Sequence, residues 1–412
     1  MNKKISENTV IYQGRILKER DQFVLQSSDK RLRINIPEQI RDSLNNGDYV
    51  SVSAQSVNGL ETIEAERIEV LSKCISPIDQ VQDLNGLGSL EMLLSQKKRA
   101  NVILRSKVMG DMRSFFHERG FIEVETPTFR YFPGTSSNHV FTTTSSINNH
   151  PYLLRSSPEK SLVRLALNFD KYFEVSKSFR NEDSDSTHSP EFTLVEFYAT
   201  LKDYTYVMDT IEELVERLAI NNRGTTDLPF GDYTISVKRP WKRVQFRDLS
   251  KQICDVDVIE ASDECLMKLT GAGTSLPRGK LLELFMAQKI EPLIEQPTFI
   301  TDFPLEMGAP AKIRADGKTM ERSELYIGGG LEISNLYTYS IDPLFLQEHY
   351  HKHISKKFGK ENIDKCLDKD FLFEMGCGIP PLAVGGIGFD RLMMLLANET
   401  NINHTMCYSF RK

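Results

Sequence analysis

The chain has 412 residues, 40% of them hydrophobic and 26% charged, with six cysteines and a formal net charge of −6. No apolar run reaches the ~18 residues of a membrane span, and no apolar stretch follows the basic N-terminus as a secretory leader requires. The expectation is a globular cytoplasmic protein with no membrane association and reduced, scattered cysteines; the acidic balance argues against a wholly basic nucleic-acid binder but leaves room for a local basic groove.

A first domain is set at residues 1–73. VIYQGRIL, QFVLQSS and RLRINIP are strand-like runs and EQIRDSL is one helical segment. DYVSVSAQSV and ETIEAERIEVL then form a pair hinged at Asn58-Gly59, a hairpin signal. Five strands with a helix between the third and fourth is the order of an OB-fold β-barrel, with another small barrel as the alternative. Residues 74–96, broken by Pro77, Gly86 and Gly88, read as a linker to a larger domain over 97–412.

Leu104, Val108, Met112, Phe115 and Phe116 recur at helical spacing, which predicts a helix over 97–119 stopped by Gly120. FIEVET reads as a strand ending at Pro127. A helix over 158–168 starts with Ser157 as its cap and Pro158 in its first turn. KYFEVSKSF and EFTLVEFYAT read as strands joined by a polar loop, and Val207, Ile211, Leu214, Val215 and Leu218 make an amphipathic helix over 205–219. Residues 220–296 carry little pattern. PTFITDF, SELYIG and LEISNLYTYS read as strands, and the last helix opens at GGIGFDRLMMLLA. With no βαβ rhythm, the order favours α+β with a mainly antiparallel sheet flanked by helices.

Three segments carry chemistry. In the first, Arg180 and Glu182 end one strand and face a loop with His188. On the returning strand, alternation puts Phe192, Glu196 and Tyr198 on one face, as an aromatic plate, a carboxylate and a phenol. An amphipathic hairpin with a solvated loop is the alternative. In the second, Glu324 and Glu332 flank Gly328-Gly329-Gly330 and can hold Mg²⁺, or are plain exposed strand glutamates. In the third, the glycines of Gly386-Ile387-Gly388-Phe389-Asp390-Arg391 allow close backbone approach and Arg391 can reach a phosphate. His349, His351 and His353 do not share one helical face, and no metal is expected there.

In order and spacing these segments resemble the signature motifs of class II aminoacyl-tRNA synthetases. GFIEVETP and its preceding helix resemble the first motif, a dimer-interface element whose proline is Pro127; FRNED…HSPEFT resembles the second and GIGFDRL the third. The OB-like unit matches the lysyl, aspartyl and asparaginyl subgroup. EPLIEQPTFITDFP and LRSSPEKSLVRLAL are similar to lysyl-type segments.

The resemblance implies a homodimer that activates an amino acid with ATP and Mg²⁺ and transfers it to tRNA. By it, Arg180 binds the α-phosphate and the amino-acid carboxylate, Glu182 and His188 hold adenine and the outer phosphates, and Phe192 stacks on adenine. Glu324 and Glu332 ligate Mg²⁺, and Arg391 clamps the γ-phosphate side, so Arg180, Glu182 and Arg391 are the expected catalytic groups. Glu159 and Tyr198 meet the substrate amine, with Glu196 and Asn335 in the same pocket; the amino acid is expected to be lysine or a related amine. Where the lysyl type has a second glutamate this chain has Tyr339, and one extra residue separates Glu324 from Glu332. In the OB-like unit, Phe23 is the expected base-stacking residue for tRNA, beside Arg31 and Arg33. A paralogue that adenylates an amino acid for a protein or small-molecule acceptor, and a non-catalytic binding protein, remain as alternatives.

Overall fold

The structure is a computed structural model and describes residues 9–19, 22–27, 30–55, 62–76, 78, 88–132, 140–272 and 276–408. The chain divides into two compact units, Met1–Glu91 and Met92–Lys412.

In the first unit, strands β1 (Thr9–Glu19), β2 (Gln22–Gln26) and β3 (Arg31–Asn35) are followed by a one-turn helix α1 (Glu38–Arg41), then β4 (Tyr49–Gln55) and β5 (Thr62–Ser72). They close into a barrel in the order β1-β2-β3-β5-β4, as the OB-fold expectation requires. Alternation sends Ile16, Leu25, Ile34, Val50, Val52, Ala54 and Ile63 into the barrel core. Asn58-Gly59 lies outside the described residues. Asp48 holds the strand exit: it accepts from Cys74 N at 2.7 Å, Asn45 N at 2.8 Å and Lys73 Nζ at 3.0 Å. Those bonds hold its carboxyl below the usual range against the opposing effect of burial.

A short helix α2 (Gly88–Leu94) precedes α3 (Gln96–Glu118). Ser95 caps α3 by accepting from Lys98 N, and Gly120, at φ 77°, follows its end. Next come β6 (Ile122–Glu123), shorter than FIEVET suggested, and a small sheet of β7 (Phe129–Arg130), β8 (Thr142–Thr144) and β9 (Pro151–Leu154). Helix α4 (Glu159–Leu162) is a single turn that tightens into a 3₁₀ helix over Val163–Leu167, so the helix expected over 158–168 is split, with Pro158 at its cap. Strands β10 (Lys171–Phe179) and β11 (Glu191–Thr200) form the expected hairpin, and α5 (Tyr204–Arg223) begins at the Asp203 cap.

The weakly patterned stretch after residue 220 holds β12 (Asp227–Phe230), β13 (Tyr233–Ser236), β14 (Lys242–Gln245), α6 (Phe246–Cys254), α7 (Asp263–Thr270) and α8 (Arg278–Phe285). The chain ends with β15 (Thr298–Thr301), β16 (Arg322–Ile327), β17 (Leu331–Tyr339), α9 (Pro343–Phe358), α10 (Ile363–Cys366), α11 (Lys369–Gly376), β18 (Leu382–Gly388) and α12 (Phe389–Ala397).

Eight strands make the central sheet in the order β14-β15-β16-β17-β18-β11-β10-β6; all neighbours are antiparallel except β14/β15 and β10/β6. Alternation gives the sheet two unlike faces. Phe173, Val195, Phe197 and Leu336 turn toward α3, α5 and α12, where Phe116 stacks 4.7 Å from Phe173. Tyr172, Tyr198, Tyr326 and Tyr337 turn the other way, toward α6, α8, α9 and α11. The GGIG segment is strand, not helix. A Cβ on Gly385 would lie 2.6 Å from both Phe197 and Val207, so glycine there lets α5 close on the sheet.

Candidate active site

The second face carries a cavity of about 940 Å³, of the size that takes a nucleotide together with a small substrate. Arg180, Glu182, His188, Phe192 and Arg391 line it, as do Glu159, Glu196, Glu324, Glu332 and Asn335.

One end gathers cations. Arg180 follows β10; its backbone N–H donates to Pro190 O, and its guanidinium carbon lies 5.0 Å from the Phe192 ring centre. Burial opposes its charge, while Glu332 and Glu182 favour it. Arg391, in the first turn of α12, donates from Nη1 to Glu332 O at 2.8 Å and from Nε to Thr187 O at 3.2 Å. Its Nη2 meets His188 Nε2 at 2.8 Å, while His188 Nδ1 meets Asp185 at 2.9 Å. A guanidinium only donates, so His188 accepts at Nε2 and gives its Nδ1 proton to Asp185. Asp390 fixes this helix start: it accepts from Thr193 N at 2.6 Å and pairs with Arg105 at 2.6 Å.

The wall beside it is acidic. Glu324 Oε1 accepts from Arg322 at 2.5 Å and Oε2 from the Tyr326 hydroxyl at 2.6 Å. Burial, with Glu332 adding to it, raises the Glu324 carboxyl above its ordinary value, though Arg322 opposes the rise. Glu291 is pushed up to about 7 by burial and then by Glu324 and Glu332. Two features set the path from Glu324 to Glu332. Gly328, Gly329 and Gly330 turn with φ of 54°, 83° and 102°, which suit glycine. A bulge then shifts the ladder between Leu325 and Tyr326, so that Tyr326 faces Glu332 while Leu325 faces Ser334. Without the bulge, alternation from Asn335 would turn Glu332 to the far face; with it, both glutamates reach the cavity.

These residues fit a Mg²⁺–nucleotide. Glu324 and Glu291, both pushed up by burial and by neighbouring carboxylates, mark a place where a divalent cation offsets charge. Among the described residues no three His, Cys, Asp or Glu side chains form a metal site by themselves. Mg²⁺ takes one or two carboxylates and completes its shell with phosphate oxygens and water.

The other end is lined by two further carboxylates, Glu159 and Glu196. Glu159, at the start of α4, is half-buried and opens onto the cavity; its Oε2 accepts from the Tyr337 hydroxyl at 2.6 Å. Its carboxyl is raised by burial, against the effect of Tyr337 and Arg130. Glu196 is buried, accepts from the Tyr198 hydroxyl at 2.6 Å, and is pushed up to about 8 by burial and by Glu159. Asn335 Oδ1 accepts from Arg322 Nε at 3.3 Å.

Two expected pocket residues stand behind the wall rather than on it. Tyr198 reaches the cavity only through Glu196 and stacks on Tyr172 at 5.2 Å. Tyr339 shares the face of Asn335 and Tyr337 but lies fully buried behind Tyr337, its ring centre 6.2 Å away. Tyr337, Arg130, Tyr350, Arg322 and Tyr326 line the cavity without a sequence signal of their own. Counting by two from Asn335 reaches Tyr337, and counting by two from Glu324 reaches Arg322 and Tyr326. His349 and His353 also line the cavity; they sit one helical turn apart, 6.4 Å between rings. Burial, then His353 and Lys352, push His349 down to about 4.

In the barrel, Phe23 pairs with the inward Ile34 and packs against the core, with the Arg41 guanidinium 5.9 Å from its ring. Arg31 pairs with Glu19 and donates to Gln26 at 3.0 Å. Arg33 is exposed. Among the described residues no helix is long and apolar enough to cross a membrane.

Residues 88–412 match the family model described as tRNA synthetases class II (D, K and N). The lysine–tRNA ligase of Ectopseudomonas mendocina is 32% identical over 425 residues, covering 96% of this chain and 84% of its own length. That of Methanoculleus marisnigri is 32% identical over 382 residues, covering 88% and 75%. That of Azobacteroides pseudotrichonymphae is 30% identical over 386 residues, covering 88% and 77%. The match spans the cavity and every element that lines it, and the chain accordingly belongs to the class II tRNA synthetases of the D, K and N group, as an amino acid–tRNA ligase of the lysyl-tRNA synthetase-like kind.

Proposed function

We propose that the chain joins an amino acid to AMP at the expense of ATP, with Mg²⁺, and passes the aminoacyl group to a tRNA, the amino acid being lysine or a related amine. The observation that carries this reading is the joining of two charge patterns on one cavity: cations and paired carboxylates suited to a Mg²⁺–nucleotide at one end, carboxylates suited to an amine at the other.

The amino-acid carboxylate is ionised at neutral pH and attacks the α-phosphate without a general base. Arg180 holds that carboxylate against the phosphate and offsets the charge that grows on the phosphoryl oxygens. Phe192 offers its face to adenine, and Glu182 and His188 hold adenine and the outer phosphates. Arg391, steadied by Glu332 O and Thr187 O, draws the leaving pyrophosphate. Glu324 and Glu332 would hold Mg²⁺, which supplies charge neutralisation to the phosphates. Glu159 and Glu196 take the substrate amine, with Asn335 beside them; Tyr198 and Tyr337 fix the two carboxylates. Tyr339 backs Tyr337 and supplies no charge.

The barrel is proposed to contact tRNA, with Arg33 the most accessible of the three expected residues. Exposed Ile103, Ile122, Phe129 and Tyr131 near the first motif support a homodimer; a monomeric mass in solution would contradict it. The activity is tested by transfer of labelled amino acid to tRNA. The reading expects transfer that requires ATP and Mg²⁺. Adenylation with no transfer to any tRNA would turn the reading toward another acceptor.

A further inference from the structure

Helix α9 brings to the cavity a row of side chains that adenylation at its two ends does not use. His349, Lys352, His353 and Lys356 all line the wall. At the helical period they fall, with Phe345, on one side of α9 within an arc of about 100°. The adjoining side sends Leu346, Tyr350 and Ile354 into the core, which fixes the row in place.

The row sets rings beside charges. The Phe345 and His349 rings lie 27° from parallel with centres 5.9 Å apart, and His349 and His353 follow at 26° and 6.4 Å. Burial, then His353 and Lys352, push His349 down to about 4, so it offers a neutral ring face rather than a charge. Lys352 and Lys356 are exposed. The other lysines on the wall are held by acids: Lys160 lies 3.6 Å from Asp368 and Lys280 lies 2.5 Å from Glu283. Among the described residues no acid pairs with Lys352 or Lys356, and that includes Glu348, one turn before Lys352.

Free cations add nothing to an end built of carboxylates for an amine, and the phosphate end has Arg180 and Arg391 of its own. Transfer makes a different demand. On the tRNA reading, on which this inference rests, the terminal ribose hydroxyl must reach the activated carboxyl inside the cavity. A duplex does not fit in about 940 Å³ beside a nucleotide and an amino acid, so the end enters as a single strand. Each step of such a strand brings one phosphate and one flat base. Rings beside lysines bind that pattern without reading its sequence. With a formal charge of −6 the chain as a whole repels the strand, and a local cationic face is what lets it approach.

We propose that this face of α9 receives the single-stranded end of the acceptor tRNA, its bases against His349 and His353 and its phosphates against Lys352 and Lys356.

The test uses the full chain, unfractionated tRNA, and lysine or ornithine, whichever drives the stronger exchange. Two assays are compared: ATP–pyrophosphate exchange, and transfer of labelled amino acid over a range of tRNA and salt concentrations. Lys352→Gln/Lys356→Gln is expected to raise the KM for tRNA about tenfold and to flatten the slope of log kcat/KM against log salt by about 1.4, for two phosphate contacts. Exchange and the KM values for ATP and amino acid stay unchanged. His349→Ala is expected to raise the KM for tRNA about fivefold or more, and His349→Phe, which keeps a ring face, to restore it. Transfer whose tRNA KM and salt slope no variant moves overturns the inference and leaves the tRNA ligase reading standing. A raised KM for ATP in the lysine variant gives the two lysines to the nucleotide and also overturns it. An unmodified chain that exchanges pyrophosphate but charges no tRNA overturns both.

Discussion

The two ends of the cavity solve different problems with different materials. At the phosphate end, Arg391 rests on two backbone carbonyls, and His188 and Asp185 sit in one loop. At the amine end, Glu159 is held by Tyr337, 178 residues away, and Glu196 by Tyr198, two residues along the same strand. A phosphate chain brings large charge and needs cations within reach. A small amino acid is told from its neighbours only by fixed, buried geometry. Both ends are joined by tertiary packing, Arg391 reaching Thr187 O across 204 residues as Tyr337 reaches Glu159 across 178; they differ in exposure, His188 and Asp185 standing open to solvent while Glu196 is buried.

Substitutions can break or sharpen that contrast. The largest effect is expected from Arg391→Ala, which removes a cation aimed at developing charge; pyrophosphate exchange falls about 100-fold or more, mainly through ATP. An equal loss in amino-acid affinity would merge the two ends. Glu159→Gln comes next. It is expected to raise the KM for the amino acid about 10- to 100-fold, the equivalent of ~1.5–3 kcal/mol, with the KM for ATP unchanged. An unchanged amino-acid KM would remove Glu159 from the pocket.

A pH series gives a smaller, graded effect. Glu196 moves from the ordinary 4.5 to about 8 in the folded chain. The folded state then holds a proton that the unfolded chain has already released. Stability is present in full below the lower value and is lost as pH rises through the upper one. Thermal melts across that window are expected to fall for the unmodified chain and to flatten for Glu196→Gln; parallel curves would mean that Glu196 ionises freely. The smallest effect is expected from Tyr337→Phe, which frees one oxygen of Glu159. Losing that bond changes the amino-acid KM by about tenfold or less, and titration calorimetry with and without ATP is the measurement.

The sequence was most legible where chemistry follows chain order. The five barrel strands and their helix, α3, α5 and the β10/β11 hairpin all lie where period and caps put them. The phosphate-end residues come from two short motifs, and alternation alone placed Phe192 and Glu196 together. The GGIG segment was read as the opening of the last helix, whereas it ends β18, where Gly385 packs against Phe197 of β11 and Val207 of α5. The spacing from Glu324 to Glu332 looked out of register because a bulge has no residue signature of its own. Tyr339 was expected in the pocket and Tyr337 was not. The two share a strand face, and Tyr339 lies buried in a cluster that includes Leu346 and Tyr350 of α9, a packing that sequence neighbours do not reveal. Arg130 gave no signal at all, because its place on the cavity comes from packing against Ser157, 27 residues away.

The most direct test of the account is ATP–pyrophosphate exchange by the unmodified chain and by Arg180→Ala, each with and without amino acid. Arg180 is the one side chain assigned to both ends. The account predicts exchange that needs an amino acid and Mg²⁺ and drops about 100-fold or more in the variant, while the variant keeps its melting temperature. Exchange that survives the substitution, or that runs without any amino acid, would contradict it.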